Sequence, residues 1–454
     1  MTRKVTVVCI LLAALCCQAH AQYTSLHADD PANSSGGWTT VRNWDADRIV
    51  SFYVNPGYVP MIEILELPTS TVHWAPLPSM VFIKDMVVDA RNGMLYFCGS
   101  TSYNTYNWGS DYSGVGLLGW IDLNSVLAGY VNMEYYEILN SGYTVDGVNR
   151  LVEYDDGGLS HIVAIGEECY HQGNYTYSKH YFIDCMMNVA ASSAAVDVEP
   201  FSQYERYRDV LLTDKFVVFV GYDANPSTNS ICYRKTNPYS VHDAIFDDIH
   251  VFYNGNDARS LTHSTAMLKS DNEIATTYFS INSNGDFVTR VRVLDVAHDA
   301  NTYSQEFILA DKGEPEDIVY IPKDKSLVLM QDFYTNSTSS YNSNFVFIEP
   351  YATSSYGTEA EFIQGVLFGD MTVRRSDQYL AGVGAAWFFK SKPVPAWTLT
   401  NPDCPSYERM RIKVIDNLDE YRYQNYIAPN INPERGIPYG SSVNSNGWRR
   451  NCSN

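Results

Sequence analysis

Four aspartates open equivalent apolar runs along the chain: Asp85, Asp209, Asp317 and Asp370. Carboxylates brought together at one place raise one another's pKa unless a cation neutralises them. Their hard oxygens suit Ca²⁺, or a cationic ligand. The same residues have a simpler local use, because an Asp at the start of a strand accepts hydrogen bonds from nearby backbone N–H groups. Both readings stand at this point. Arg150 and Ala266, in the equivalent place of two other runs, interrupt the acidic series. A second group, Tyr103, Tyr106, Trp108 and Tyr112, lies in a stretch rich in Gly, Ser and Asn. Aromatics on an adaptable loop suit contact with a glycan or a protein; the other reading packs them on the rim of the fold. A third group is His161, Glu167, Glu168, His171 and His180. These are residue types that zinc accepts, but strand alternation spreads them over two faces.

Several chemistries have no motif here. There is no H-E-x-x-H, no P-loop, no G-x-S-x-G elbow and no G-x-G-x-x-G following a strand. Their absence weighs against an enzyme, although distant loops can assemble a site that no local motif announces.

The compartment is legible from the leader and the cysteines. A basic start, Met1-Thr2-Arg3-Lys4, precedes an apolar run from Val5 to Leu15 and the small residues ending Ala19-His20-Ala21. That is the pattern of a cleavable signal peptide, and its core is too short to span a bilayer. Export implies an extracellular or cell-surface location, or the periplasm of a bacterium. Three of the nine cysteines belong to the leader. The remaining six fit an oxidising compartment. Cys404 with Cys452 would tie down the tail, and Cys169 with Cys185 would face each other across one hairpin. Cys98 and Cys232 read as buried thiols. Sequons occur at Asn33, Asn174, Asn336 and Asn451. The net charge of −21 deepens once Arg3 and Lys4 leave. With no basic block, nucleic acid and anionic membranes are excluded as partners.

The elements that must position these residues are strands. Tyr is abundant, at 35 residues, and Val, Ile, Thr and Phe fill the apolar runs. Six stretches read as strand, tight polar turn, strand: 85–100, 150–167, 209–222, 266–280, 317–331 and 370–384. Their turns begin at Asn92, Asp156, Asp214, Asp271, Asp324 and Ser376, at spacings of 64, 58, 57, 53 and 52 residues. Further strand-like runs follow most of them, such as 181–184 and 196–201.

Four strands per repeat at this period resembles the blade of a β-propeller. The resemblance covers roughly residues 45–395 and rests on pattern, with no Trp-Asp, kelch or Asp-box signature. It implies an all-β ring of six four-stranded blades, with the N-terminal strands at 49–67 closing the blade begun at Asp370. Seven blades is the other count, if residues 39–80 form a blade of their own. The expected organisation is a leader (1–21), an N-terminal extension (22–44), the propeller (45–400) and a tail (401–454). In such a ring the first strand of each repeat lines the central channel, which would bring the four aspartates to its mouth. The expected function is a secreted or cell-surface binding protein that engages a glycan or protein ligand with loops on one face. Its alternatives are a glycan-active hydrolase or lyase with carboxylates at the channel mouth, and a structural envelope component. Calcium is the one cofactor that these residues suggest.

Overall fold

The structure, a computed structural model, describes residues 23–25, most of 40–254, and the strands between 265 and 414. It is built from antiparallel sheets. β1 (Tyr23–Ser25) stands apart in sequence. β2 (Thr40–Asn43), β3 (Arg48–Val54), β4 (Pro60–Glu66) and β5 (Thr71–Pro76) form one sheet in chain order. The next holds β6 (Phe82–Asp89), β7 (Met94–Ser100), β8 (Gly116–Asp122) and β9 (Asn132–Glu137), with a short helix, α1 (Leu123–Leu127), before β9. A two-stranded ladder, β10 (Leu139–Asn140) with β11 (Tyr143–Thr144), precedes the third sheet. That sheet comprises β12 (Gly147–Asp156), β13 (Leu159–Gln172), β14 (Tyr175–Asn188) and β15 (Ser193–Pro200). The fourth comprises β16 (Glu205–Leu212), β17 (Val217–Asp223), β18 (Ser230–Thr236) and β19 (His250–Asn254). The fifth is β20 (Thr265–Met267), β21 (Glu273–Ile281), β22 (Phe287–Asp295) and β23 (Tyr303–Leu309). The sixth is β24 (Glu314–Ile321), β25 (Ser326–Thr335), β26 (Ser340–Ile348) and β27 (Glu359–Gln364). The last joins β28 (Asp370–Val373), β29 (Leu380–Ala385) and β30 (Met410–Val414) to β1.

All six expected hairpins are present, each as the first two strands of a sheet. The first strands also touch in sequence around a ring. β2 contacts β6, β6 contacts β12, and the series runs through β16, β20 and β24 to β28, which returns to β2. The ring closes by packing between sheets, while each sheet keeps its own hydrogen-bonded ladder.

Apolar side chains fill the gaps between neighbouring sheets. Ile162 and Ala164 of β13 pack with Tyr96 and Leu118 on one side. Val163 and Ile165 pack with Tyr207 and Phe219 on the other. Further round, Val218 and Ile231 meet Ile274 and Tyr278, and Val291 and Phe307 meet Leu327 and Val346. Both faces of a sheet are therefore buried. This is why its strands read as nearly continuous apolar runs rather than as alternating ones.

Closure differs from the expected one. β3 and β4, which hold most of residues 49–67, pair with each other inside the sheet that starts at Thr40. Residues 40–76 thus form a sheet of their own, which is the condition named for seven units instead of six. The hairpin begun at Asp370 is completed by Met410–Val414 and, beyond it, Tyr23–Ser25. Strands from both terminal segments enter the ring, so its boundaries lie outside 45–400. The physical reason is the same one that prompted the expectation: an unpaired sheet edge is a liability, and the chain ends cover it.

Candidate binding site at the inner edge of the ring

The inner strands share an irregularity. Pairing of β6 with β7 jumps from Ile83 to Asp85 and passes over Lys84. The same jump passes over Asn149 in β12, Arg208 in β16 and Glu316 in β24. A bulge inserts one extra residue, bends its strand and re-aims the side chain. Facing the residue before the bulge is Gly99, Gly166 or Gly221 in three of these sheets. A Cβ on Gly99 would stand 1.8 Å from the Phe82 carbonyl oxygen, and one on Gly221 2.0 Å from that of Arg206. No side chain fits there, so glycine is required by the close approach of the two backbones.

The residue after each bulge is Asp85, Arg150, Asp209 or Asp317. Asp85 accepts from Met86 N at 2.9 Å with one oxygen and from Leu151 N, on the neighbouring inner strand, at 3.1 Å with the other. The Arg42 guanidinium, from the sheet on the other side, also pairs with Asp85. Asp209 accepts from Val210 N at 2.9 Å and faces Arg150 Nε at 3.7 Å. Asp317 accepts from Ile318 N at 2.8 Å. Asp370 pairs through its backbone with Val383, and its side chain lies outside the described residues. The aspartates thus take the local role, and two of them also bridge adjacent sheets to an arginine. Among the described residues no group of three or more His, Cys, Asp or Glu is placed to hold a metal ion. Both oxygens of Asp85 are engaged by the protein's own donors.

What converges instead are the bulged residues. Lys84 Nζ donates to Asn149 Oδ1 at 2.7 Å, and Asn149 Nδ2 donates to Glu167 Oε2 at 2.8 Å. Glu167 Oε1 lies 3.7 Å from His180 Nε2, directly opposite on the β13–β14 ladder. His180 is fully buried, and neither ring nitrogen has a hydrogen-bond partner. Burial alone would raise the pKa of Glu167; His180, Arg208 and Lys84 outweigh it and hold the carboxyl well below its usual range. Burial, aided by Arg208 and Arg206, pushes the His180 imidazole down despite Glu167. At neutral pH the pair is therefore a carboxylate beside a neutral imidazole. Burial also pushes Lys84 down from the usual lysine range, against the pull of Glu167.

Next to this cluster sits Asp146, nearly buried, which accepts from Cys169 N at 2.7 Å. Burial, with Glu168 and Glu167 nearby, raises its pKa to about 6. Asp146 and Glu167 are thus two carboxyl groups with pKa values driven apart by their surroundings.

The other expected residues fall out as follows. His161 stacks on Tyr154 at 5.0 Å and lies 3.9 Å from Asp184, six residues along β13 from Glu167. The five-residue His/Glu group is therefore not one site, and the side chain of His171 lies outside the described residues. Tyr103, Tyr106, Trp108 and Tyr112 also lie outside them. The strand ends that flank that loop, Ser100 and Gly116, stand at the same end of the ring as Lys84. Cys169 is opposite Ser178 and Cys185 opposite Ile162, seven pairs apart on one ladder. At about 3.3 Å per residue that is about 23 Å, far beyond the reach of a disulfide. The expected Cys169–Cys185 bridge is thus corrected. Cys98, Cys185 and Cys232 are buried thiols, and burial with Asp184 pushes Cys185 up to about 12. Cys404 and Cys452 lie outside the described residues.

Lys84, Asn149 and Arg208 were not among the expected site residues. Their signal was present as a polar residue one place before the strand-opening Asp or Arg, matched by a glycine ending the second strand.

Seven four-stranded sheets, packed face to face with their first strands in a ring, define a β-propeller. No known protein family matches the sequence, and no curated protein matches it. Among solved structures, the chain is similar to the Dos1 propeller at 10% identity and a TM-score of 0.46, covering 85% of this chain and 94% of that one. It is similar to the Trypanosoma rangeli sialidase in complex with the inhibitor DANA at 8% identity and a TM-score of 0.45, over 78% of this chain and 58% of that one. The polysaccharide lyase Uly1 gives 6% identity and a TM-score of 0.43, over 87% and 93%.

Proposed function

We propose that this chain is an exported binding protein that engages a glycan or protein ligand with one end of its propeller. The observation that carries the reading is the asymmetry of the two ends. At the end where the first strands begin, charged side chains from neighbouring sheets meet around Glu167. There also β13 and β14 run past their neighbours: β12 starts opposite Glu167 and β15 ends opposite Tyr181, which leaves 168–172 of β13 and 175–179 of β14 paired only with each other. A two-stranded ribbon beside a polar inner rim supplies contact area next to specific donors, the usual make-up of a ligand site. Among the described residues no helix is long and apolar enough to cross a membrane.

The test is retention of the purified chain on glycan and protein arrays. Specific binding at micromolar concentration supports the reading, and no retention on either array overturns it. Cell fractionation checks the export.

A second reading, a glycan-active hydrolase or lyase, draws on the divergent pKa values of Asp146 and Glu167, the pattern of an acid–base pair. Turnover on a panel of polysaccharides, lost in Glu167→Gln, would establish it; an inert panel would remove it.

A further inference from the structure

We infer that Lys84, with Asn149, His180 and Arg208 around it, recognises an anionic group, the carboxylate or sulfate of an acidic saccharide. This rests on the binding reading above and names the chemistry of its ligand. The chain as a whole is strongly acidic, with a net charge of −21. Its field at long range favours cations, and the aspartates of the inner strands first pointed the same way. Close to the bulges several of the carboxylates are already engaged by the protein. Asp85 and Asp209 are engaged by arginines and backbone N–H groups. Glu167 is engaged by Asn149 and faces His180. Asp85, Asp209 and Glu167 are thus engaged internally.

The Lys84 donors are not all so engaged. An ammonium group has three N–H donors, and Lys84 spends one on Asn149. Lys84, Asn149 and Arg208 are each partly buried at the inner rim. Behind them His180 is wholly buried, its Nε2 facing Glu167 Oε1 at 3.7 Å. A hydrogen-bonding anion placed at this rim would meet the spare donors of Lys84. It would also lie within a Debye length of Arg208, where local charge outweighs the distant acidic surface. Charge-assisted bonds of this kind are the strong ones in carboxylate and sulfate recognition.

Binding of the full chain to three polysaccharides tests this: one uncharged, one containing uronic acid, and one sulfated. The expected result is retention of the uronate or the sulfated polymer and weak retention of the uncharged one. Lys84→Met should weaken charged-polymer binding roughly tenfold or more, as expected for one charge-assisted bond. Lys84→Arg should retain most of it. Should the Met variant not fold, salt titration of the unaltered chain tests the same claim, because binding carried by ion pairs weakens steeply with salt. Equal retention of charged and uncharged polymers, or binding insensitive to salt, overturns the anionic site and leaves the binding reading standing. No retention of any glycan or protein overturns both. Which anionic polymer is held separates carboxylate from sulfate as the recognised group.

Discussion

The two ends of the propeller use polar residues in different ways. At the turn end, where the first strands finish, many side chains serve their own loop, and others cross to the next sheet, as Thr213 Oγ1 does to Asn272 Oδ1 at 3.1 Å and Ser160 Oγ to Tyr96 Oη at 2.6 Å. Asp89 accepts from Arg91 N at 3.0 Å and from Asn92 Nδ2 at 2.7 Å. Thr213 accepts from Phe216 N at 3.0 Å, and Asp122 caps α1 through Asn124 N at 3.0 Å. At the bulge end the contacts leap between sheets. Lys84 reaches Asn149, Asp85 reaches Leu151 N, and Arg42 reaches Asp85. Both ends thus join neighbouring sheets, but the bulge end does so through Asp–Arg pairs and leaves buried charge beside a rim. The difference teaches that charged contacts between sheets gather where strand pairing is interrupted.

The sharpest way to break that comparison is at the glycines. Gly99→Ala or Gly221→Ala drives a Cβ into a backbone carbonyl. Either should cost about 3 kcal/mol or more, because backbone has to move. Gly129, at the turn end, has φ +85 and nothing within 4 Å of an added Cβ. Gly129→Ala should cost about 1 kcal/mol, the strain of a left-handed residue alone. Thermal unfolding midpoints of the three variants check this, and equal losses at the two ends would remove the distinction.

A smaller effect is expected from the aspartates. Asp85→Ala leaves two backbone N–H groups without their acceptor and Arg42 without its partner, an expected loss of about 3 kcal/mol. Asp89→Ala, which only loosens an exposed turn, should stay within about 1 kcal/mol. Similar denaturation midpoints for the pair would mean that Asp85 does not lock adjacent sheets.

Glu167→Gln probes the buried charge itself. The folded pKa of Glu167 is held below the ordinary value of 4.5. Its ionisation therefore stabilises the fold at pH above 4.5, and that contribution is lost as pH falls through the folded value. The variant should melt lower than the parent at pH 7, by an amount that shrinks as pH drops below 4.5. A difference that is constant with pH would show that Glu167 contributes packing rather than charge.

This contrast also explains what was legible in the sequence. Much of the turn end is local chemistry, so turns such as those at Asn92 and Asp156 announced the hairpins. The sheet at 40–76 stands only as the second reading of the sequence because its first strand, Thr40–Asn43, is only four residues long and lies within a polar extension. A hairpin count could not see it, and residues 49–67 were assigned to the wrong partner. The role of β30 was hidden for the same reason: five residues, MRIKV, in a polar tail. The bulge end depends on residues about 65 apart in sequence, such as Lys84 with Asn149. No local window contains such a pair. What a window does contain is the glycine opposite three of the four bulges, at Gly99, Gly166 and Gly221, required by backbone approach at Gly99 and Gly221.

The smallest effect concerns Asp146, and its sign runs opposite to that of Glu167. Its folded pKa is raised to about 6 from an ordinary 3.8. The folded chain thus holds the Asp146 proton more tightly than the unfolded chain does. Ionised Asp146 costs stability above pH 6, and that cost falls away as pH drops from about 6 to 3.8. Asp146→Asn mimics the protonated group and keeps an acceptor for Cys169 N, so it should melt a few degrees above the parent at pH 8. The gain should shrink below pH 6 and vanish near 3.8. Melting the two proteins side by side across that range decides the matter. If Asp146→Asn melts lower than the parent at pH 8, then the ionised carboxylate is the form the fold prefers. The acidic pocket beside Cys169 would then be a stabilising feature of the bulge end instead of a cost borne there.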